Sequence, residues 1–213
     1  MKINPKDLNW TEAHDIWLVR LVAPRPIALV STVGEDGVLN MAPFSFHGVM
    51  CVKPMLVYIA IGRQKDTGAK TDTLRNIEFS KDFVINVVDE SLAQAMDQSA
   101  VEYPSDVDEF KEVGLTPAKS DLVEAPRIAE SPVNMECRLK QILEFGDFPE
   151  HSKDPKNRYS VVIGEVVRIH VKDEVCVNGE IQMSKLGAIG RLGEGLYCRT
   201  TDTFRVERKE VSS

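Results

Sequence analysis

The chain has 213 residues, 43% of them hydrophobic, which is enough to bury one sizeable core and fits a single domain over 1–213. Its net charge of −7 excludes the basic surface that nucleic acid or an anionic membrane recruits. No apolar run is long enough to span a bilayer and residues 1–7 are polar rather than leader-like, so no membrane association and a cytoplasmic location are expected.

In chain order, 27–33 and 41–49 read as two strands joined through a Gly34-Glu35-Asp36-Gly37 turn. The second arm sets Asn40, Ala42 and Ser45 among apolar neighbours, giving low relief and exposed backbone polar groups. Two readings are open there. A flat, polar-edged ligand lies on the arm, or the hairpin merely closes a barrel with Asn40 and Ser45 satisfied locally. After a strand at 55–61, the stretch 65–76 combines basic residues with Thr67, Thr71 and Thr73 and carries a helix start at Thr71 or Asp72. The unpaired N–H groups of a first helical turn suit an anion near Lys70, Thr73 and Arg75. The plainer reading is a solvated, capped helix with Leu74 and Ile77 facing the core.

A strand at 83–88 precedes a short helix at 91–98, where Ser91 and Gln94 have capping-box spacing and the helix is placed to plug one barrel opening. The pattern loosens over 101–126, with a short helix at 108–113. Strands at 133–145 and 160–171 flank a charged surface loop at 146–158, and 175–183 reads as a hairpin turning at Asn178-Gly179. The glycines at 187, 190, 193 and 195 lack dinucleotide-fingerprint spacing, and the chain has no nucleophile elbow, P-loop or H-E-x-x-H. Cys51, Cys137, Cys176 and Cys198 form no C-x-x-C pair, so reduced thiols are expected. His14, His47, His151 and His170 lack metal-ligand spacing, and no metal is expected. His47 follows Ser45-Phe46 and is either a proton carrier or a core or rim histidine.

Eight short pieces recur in a characteristic order: Pro24-Arg25-Pro26-Ile27-Ala28, Ser31-Thr32, Asn40-Met41-Ala42-Pro43-Phe44-Ser45-Phe46, Asp72-Thr73-Leu74-Arg75-Asn76, Phe83-Val84-Ile85-Asn86-Val87-Val88, Glu130-Ser131-Pro132, Ile163-Gly164-Glu165-Val166 and Gly190-Arg191-Leu192-Gly193. Their order and spacing resemble the flavin reductase-like, FMN-binding split-barrel family, which includes flavoredoxin and the reductase components of two-component monooxygenases. The resemblance spans roughly residues 20 to 205. It implies a mainly β protein with short helices, an antiparallel split β-barrel of the FMN-binding type.

The same resemblance implies FMN as cofactor and NAD(P)H as the electron donor. The flavin ring would lie near Thr32, Ala42 and Pro43, with edges from Asn40, Phe44 and Phe46, and the phosphate near Ser45, Lys70 and Thr73. Arg199, in a Tyr-x-Arg pattern that family members also carry, either meets a flavin or nicotinamide anion or pairs with Asp202 or Glu207. Hydride transfer is the cofactor's own chemistry, so no catalytic acid or base is required. Family members imply a homodimer, and a redox protein or monooxygenase as partner. Two alternatives stand beside the reductase: a flavoredoxin-like electron carrier with little direct NAD(P)H activity, and a flavin-free dimeric split barrel that binds another cofactor or a protein.

Overall fold

The computed structural model describes residues 1–9, 11–64, 67–146 and 158–207. A π-helix over Glu12–Leu18 runs into α1 (Val19–Leu21), followed by β1 (Arg25–Pro26), β2 (Ala28–Val33), β3 (Leu39–Phe44), β4 (His47–Cys51) and β5 (Leu56–Ile61). Next come α2 (Asp72–Ser80), β6 (Asp82–Val87), α3 (Ala93–Gln98), α4 (Glu109–Val113), β7 (Pro117–Ala118) and β8 (Arg127–Ile128). The long strands β9 (Val133–Gly146) and β10 (Arg158–Val171) precede β11 (Cys176–Val177), β12 (Glu180–Ile181), α5 (Met183–Leu186), β13 (Ile189–Gly193) and β14 (Leu196–Arg199).

Seven strands form one antiparallel sheet in the order β3-β2-β6-β9-β10-β5-β4. Its two edges, β3 and β4, are consecutive in the chain and joined only by Ser45 and Phe46. Three Cα steps reach at most about 11 Å, so the sheet has to curl until its edges meet. The Ala60 N–H donates to the Phe46 carbonyl at 2.7 Å where they do. No ladder joins β3 to β4 or β5, and Pro43 has no N–H to offer one. The barrel is therefore closed by the chain but split along that edge, as an antiparallel split β-barrel with short helices. The single strand expected over 41–49 is in fact two, because the chain leaves one edge of the sheet at Phe44 and joins the other at His47.

The period-2 alternation of a strand assigns its side chains to two cores. Ala28 and Val30 face the barrel interior with Ile59, Ile61, Phe83, Ile85 and Val162, and with Leu74 and Ile77 of α2. Leu29 and Met41 face outward and are covered by Leu92 just before α3, Met96 of α3, Phe110 of α4, and Ile128. The helix that packs into the barrel is thus α2, and the helix expected to plug it, over 91–98, covers an outer face instead.

Local capping also departs from the pattern. Asp89, rather than a Ser91/Gln94 box, accepts the Leu92 N–H at 3.1 Å and the Ser91 hydroxyl at 2.6 Å, and a 3-10 turn at Glu90–Leu92 leads into α3. Thr71 caps α2 through the Leu74 N–H, and Asp108 caps α4 through the Phe110 N–H. The Asn178-Gly179 turn joins β11 and β12 with positive φ at both residues, as a tight hairpin needs. Apart from Gly146 and Arg158, the 146–158 loop lies outside the described residues. All four cysteines are free, and among the described residues no helix is long and apolar enough to cross a membrane.

Candidate functional site

The split in the barrel is a groove. Its wider part, about 620 Å³, lies between Pro43–Phe46 on one side and Ala60, Gly62 and Arg63 on the other, with Tyr159 at its base. A narrower part of about 250 Å³ runs past Ala42 to Thr71, Asp72 and Thr73 at the amino end of α2. Pro43, Phe44, Gly62 and Arg63 line both parts, so the two are continuous. The wider volume falls within the roughly 300–1,000 Å³ usual for small-molecule sites.

The wide end is aromatic and cationic. The Phe46 ring sits 6.1 Å from Tyr159 and 5.8 Å from His14, and the Arg25 guanidinium lies 5.8 Å from the Phe46 centroid. Arg25 is 4% exposed. It donates to the Val22 carbonyl at 2.8 Å, to the Val19 carbonyl, and from Nε to Ser45 Oγ at 3.3 Å, tying the amino-terminal helix to the groove. Arg63 donates to Ser160 Oγ at 2.8 Å and to Glu144 at 2.7 Å, so it is fixed from the barrel side.

A buried polar network forms the wall between the hairpin and α2. Asn40 Oδ1 accepts from Thr32 Oγ1 at 3.0 Å and from Thr73 Oγ1 at 2.9 Å, and Asn76 donates to Thr32 Oγ1 at 3.0 Å. The Asn40 amide and the Met41 N–H both donate to the Glu109 carboxylate. Burial is the main cause that raises Glu109 to about 7, with Asp72 and Asp108 adding to it against those two donors. These side chains satisfy one another, so what the groove presents at Asn40 and Thr73 is the outer edge of a closed network.

Of the sequence-derived positions, the structure gathers Asn40, Ala42, Pro43, Phe44 and Thr73 along the narrow part, and Pro43, Phe44, Ser45 and Phe46 along the wide part. Ser45 lies with Arg25 in the wide part, Thr73 lines the narrow part, and Lys70 lines neither. Thr32 is fully buried and lines neither part. Lys70 is outside both, its Nζ donating to Glu78 at 2.6 and 2.8 Å. Arg199 is exposed and pairs with Glu90 at 2.6 Å, rather than with Asp202 or Glu207. His47 sits on β4 beside Leu18, Val22 and Tyr58. Burial lowers it to about 4, and its Nε2 has no hydrogen-bond partner among the described residues.

Sequence reasoning assigned no role to Arg25, Arg63, Tyr159 or Glu109. Arg25 was within reach, since it stands between two prolines in the first quoted motif. Glu109 carried no signal, being one acid in an acidic stretch, and only the fold brings it to Asn40.

A model of the flavin reductase like domain matches residues 19–183. Nitrilotriacetate monooxygenase component B from Bacillus cereus is similar in structure with a TM-score of 0.88, at 30% identity, covering 97% of this chain and 98% of that one. The Pseudomonas fluorescens 2-nitrobenzoate 2-nitroreductase NbaA is similar with a TM-score of 0.85, also at 30% identity, covering 100% of this chain and 98% of that one. Flavoredoxin of Desulfovibrio vulgaris (Miyazaki F) shares the fold, with a TM-score of 0.72 at 21% identity over 87% of this chain and 91% of that one.

Proposed function

The chain belongs to the flavin reductase-like family, and from that premise we propose that it is an FMN-binding oxidoreductase, reduced by NAD(P)H, that works as one split-barrel domain. The observation that carries this reading is the continuity of the groove from the aromatic end at Phe46 to the first turn of α2. A long ligand with a flat ring and a terminal phosphate fits that shape. The ring lies along Ala42–Phe46, where the unpaired edge of β3 supplies backbone groups and Phe46 and Tyr159 supply apolar area. The phosphate lies by Thr73, where free N–H groups and the helix dipole favour an anion.

Bound FMN supplies the hydride-accepting chemistry, and the residues of this chain bind, orient and shield it. Pro43 and Phe44 fix the ring against the split, Arg25 sets a positive field beside it, and the Thr32–Asn40–Thr73 network keeps the hairpin and α2 at a constant separation. Lys70 reaches the phosphate by leaving Glu78, an exposed ion pair worth at most about 1 kcal/mol, so the exchange is cheap. Lys70→Ala is expected to raise the FMN dissociation constant about tenfold, about 1.4 kcal/mol. Unchanged affinity in a fluorescence titration removes Lys70 from the site, and absence of FMN binding by the wild type removes the function.

Similarity to a monooxygenase component and to a nitroreductase supports a redox partner or a small aromatic acceptor downstream of the flavin. Anaerobic stopped-flow mixing with NADH and with NADPH separates a reductase from a carrier: rapid bleaching supports the first, and no bleaching by either supports the second. The chain acts as a homodimer in this reading. Val49, Val52 and Met55 are exposed around the edge strand β4, next to Leu18 and Val22, and a second copy covers such an apolar edge. Sedimentation in the presence of FMN is expected to give twice the chain mass, and a monomer contradicts it.

A further inference from the structure

Arg25 on β1 and Arg191 on β13 are direct partners in an antiparallel pair. Residues placed in this way project from the same face, and like charges so placed repel. Both line the wide end of the groove. Among the described residues, neither guanidinium has a carboxylate within ion-pair distance. The donors of Arg25 go to two neutral carbonyls and a hydroxyl. Burial and the neighbouring Arg191 both lower its pKa.

Buried or half-buried charges are rarely left without a counter-charge. This chain has carboxylates in excess, at a net charge of −7, yet none among the described residues lies against this pair. The two acids that line the same cavity are engaged elsewhere, Asp15 with His14 and Glu194 with Arg20. The narrow end of the groove, where the proposed flavin phosphate sits, contains neither arginine.

We propose that Arg191, with Arg25 beside it, is an oxyanion-binding pair that holds the carboxylate or phosphate of a second small molecule at the wide end of the groove. A planar guanidinium meets either group through two parallel N–H donors. That this molecule exchanges electrons with the flavin rests on the function proposed above, whereas the anion site rests on the charges alone. A dinucleotide brings a phosphate and an aromatic acid brings a carboxylate.

Isothermal titration of the wild type, Arg191→Gln and Arg191→Lys with inorganic pyrophosphate and with benzoate tests the pair, with and without FMN. Pyrophosphate, benzoate or both should bind the wild type, weaken by about tenfold or more in Arg191→Gln, and recover in part in Arg191→Lys, while FMN affinity changes by less than about threefold. A response to pyrophosphate alone identifies the phosphate source, and a response to benzoate alone the carboxylate source. Anion affinities that ignore Arg191→Gln overturn the proposal. So does an equal loss of FMN affinity, which assigns the pair to the flavin's own phosphate. If the chain binds no FMN but still binds an anion through Arg191, the flavin reading fails and the anion site stands.

Discussion

Glu109 is the residue at which the groove pays most for its construction. Its folded value of about 7 lies above the ordinary 4.5, so the folded state holds the proton more tightly than the unfolded one between those values. Stability therefore falls as pH rises through that window and levels off above it. Glu109→Gln keeps an oxygen to accept the Met41 N–H and the Asn40 amide but removes the titration. Between about pH 5 and about pH 8, urea unfolding should show the wild type losing on the order of 2 kcal/mol more stability than the variant. Parallel pH profiles would show that the carboxyl is not desolvated as the fold implies. The contrast with Lys70 and Arg199 is instructive, since both are exposed and paired with nearby acids. Charges on the surface of an acidic chain find partners wherever the fold leaves them, and neither Glu78 nor Glu90 was legible as the partner from spacing.

At the scale of elements, local patterns were read well where one strand or turn decides the outcome. The first hairpin, the Asn178-Gly179 turn and the start of α2 at Thr71 follow from alternation, turn chemistry and capping within a few residues. The break between β3 and β4 was not legible, because nothing local ends the apolar run at Phe44. It is imposed by the need to cross from one edge of the sheet to the other. The choice of α2 over α3 as the helix in the barrel has the same origin, as both carry apolar faces and only the sheet's curl decides which is enclosed. Gly164 shows the cost of that curl. It stands at a register shift between β10 and β9, and a methyl group placed on it would lie 2.5 Å from Phe83 Cζ in the barrel interior. Gly164→Ala is expected to cost about 1–3 kcal/mol through displacement of Phe83, lowering Tm by about 2–4 °C for each kcal/mol. An unchanged melting curve would mean that the interior has room to spare.

For the whole molecule, the fold family was legible because ordered short motifs fall on the strands and helix that bound the split. The cationic end was not, because Arg25, Arg63 and Arg191 are separated by long stretches of chain: β1 pairing with β13 joins Arg25 to Arg191, and only the folded barrel sets Arg63 in the same cavity. The bonding of the polar groups was hidden for a related reason: Thr32, Asn40 and Thr73 look available in sequence and are hydrogen-bonded to one another in the fold, with Asn40 and Thr73 still lining the narrow part. What the fold leaves open is a continuous passage bounded by backbone, aromatic rings and arginines. A crystal structure of the protein grown with excess FMN tests that conclusion most directly. The expected electron density has one flavin per chain, its ring against Ala42–Phe46 and its phosphate at the amino end of α2 beside Thr73. Density for the flavin on another face, or an empty groove in crystals soaked to saturation, would contradict the account.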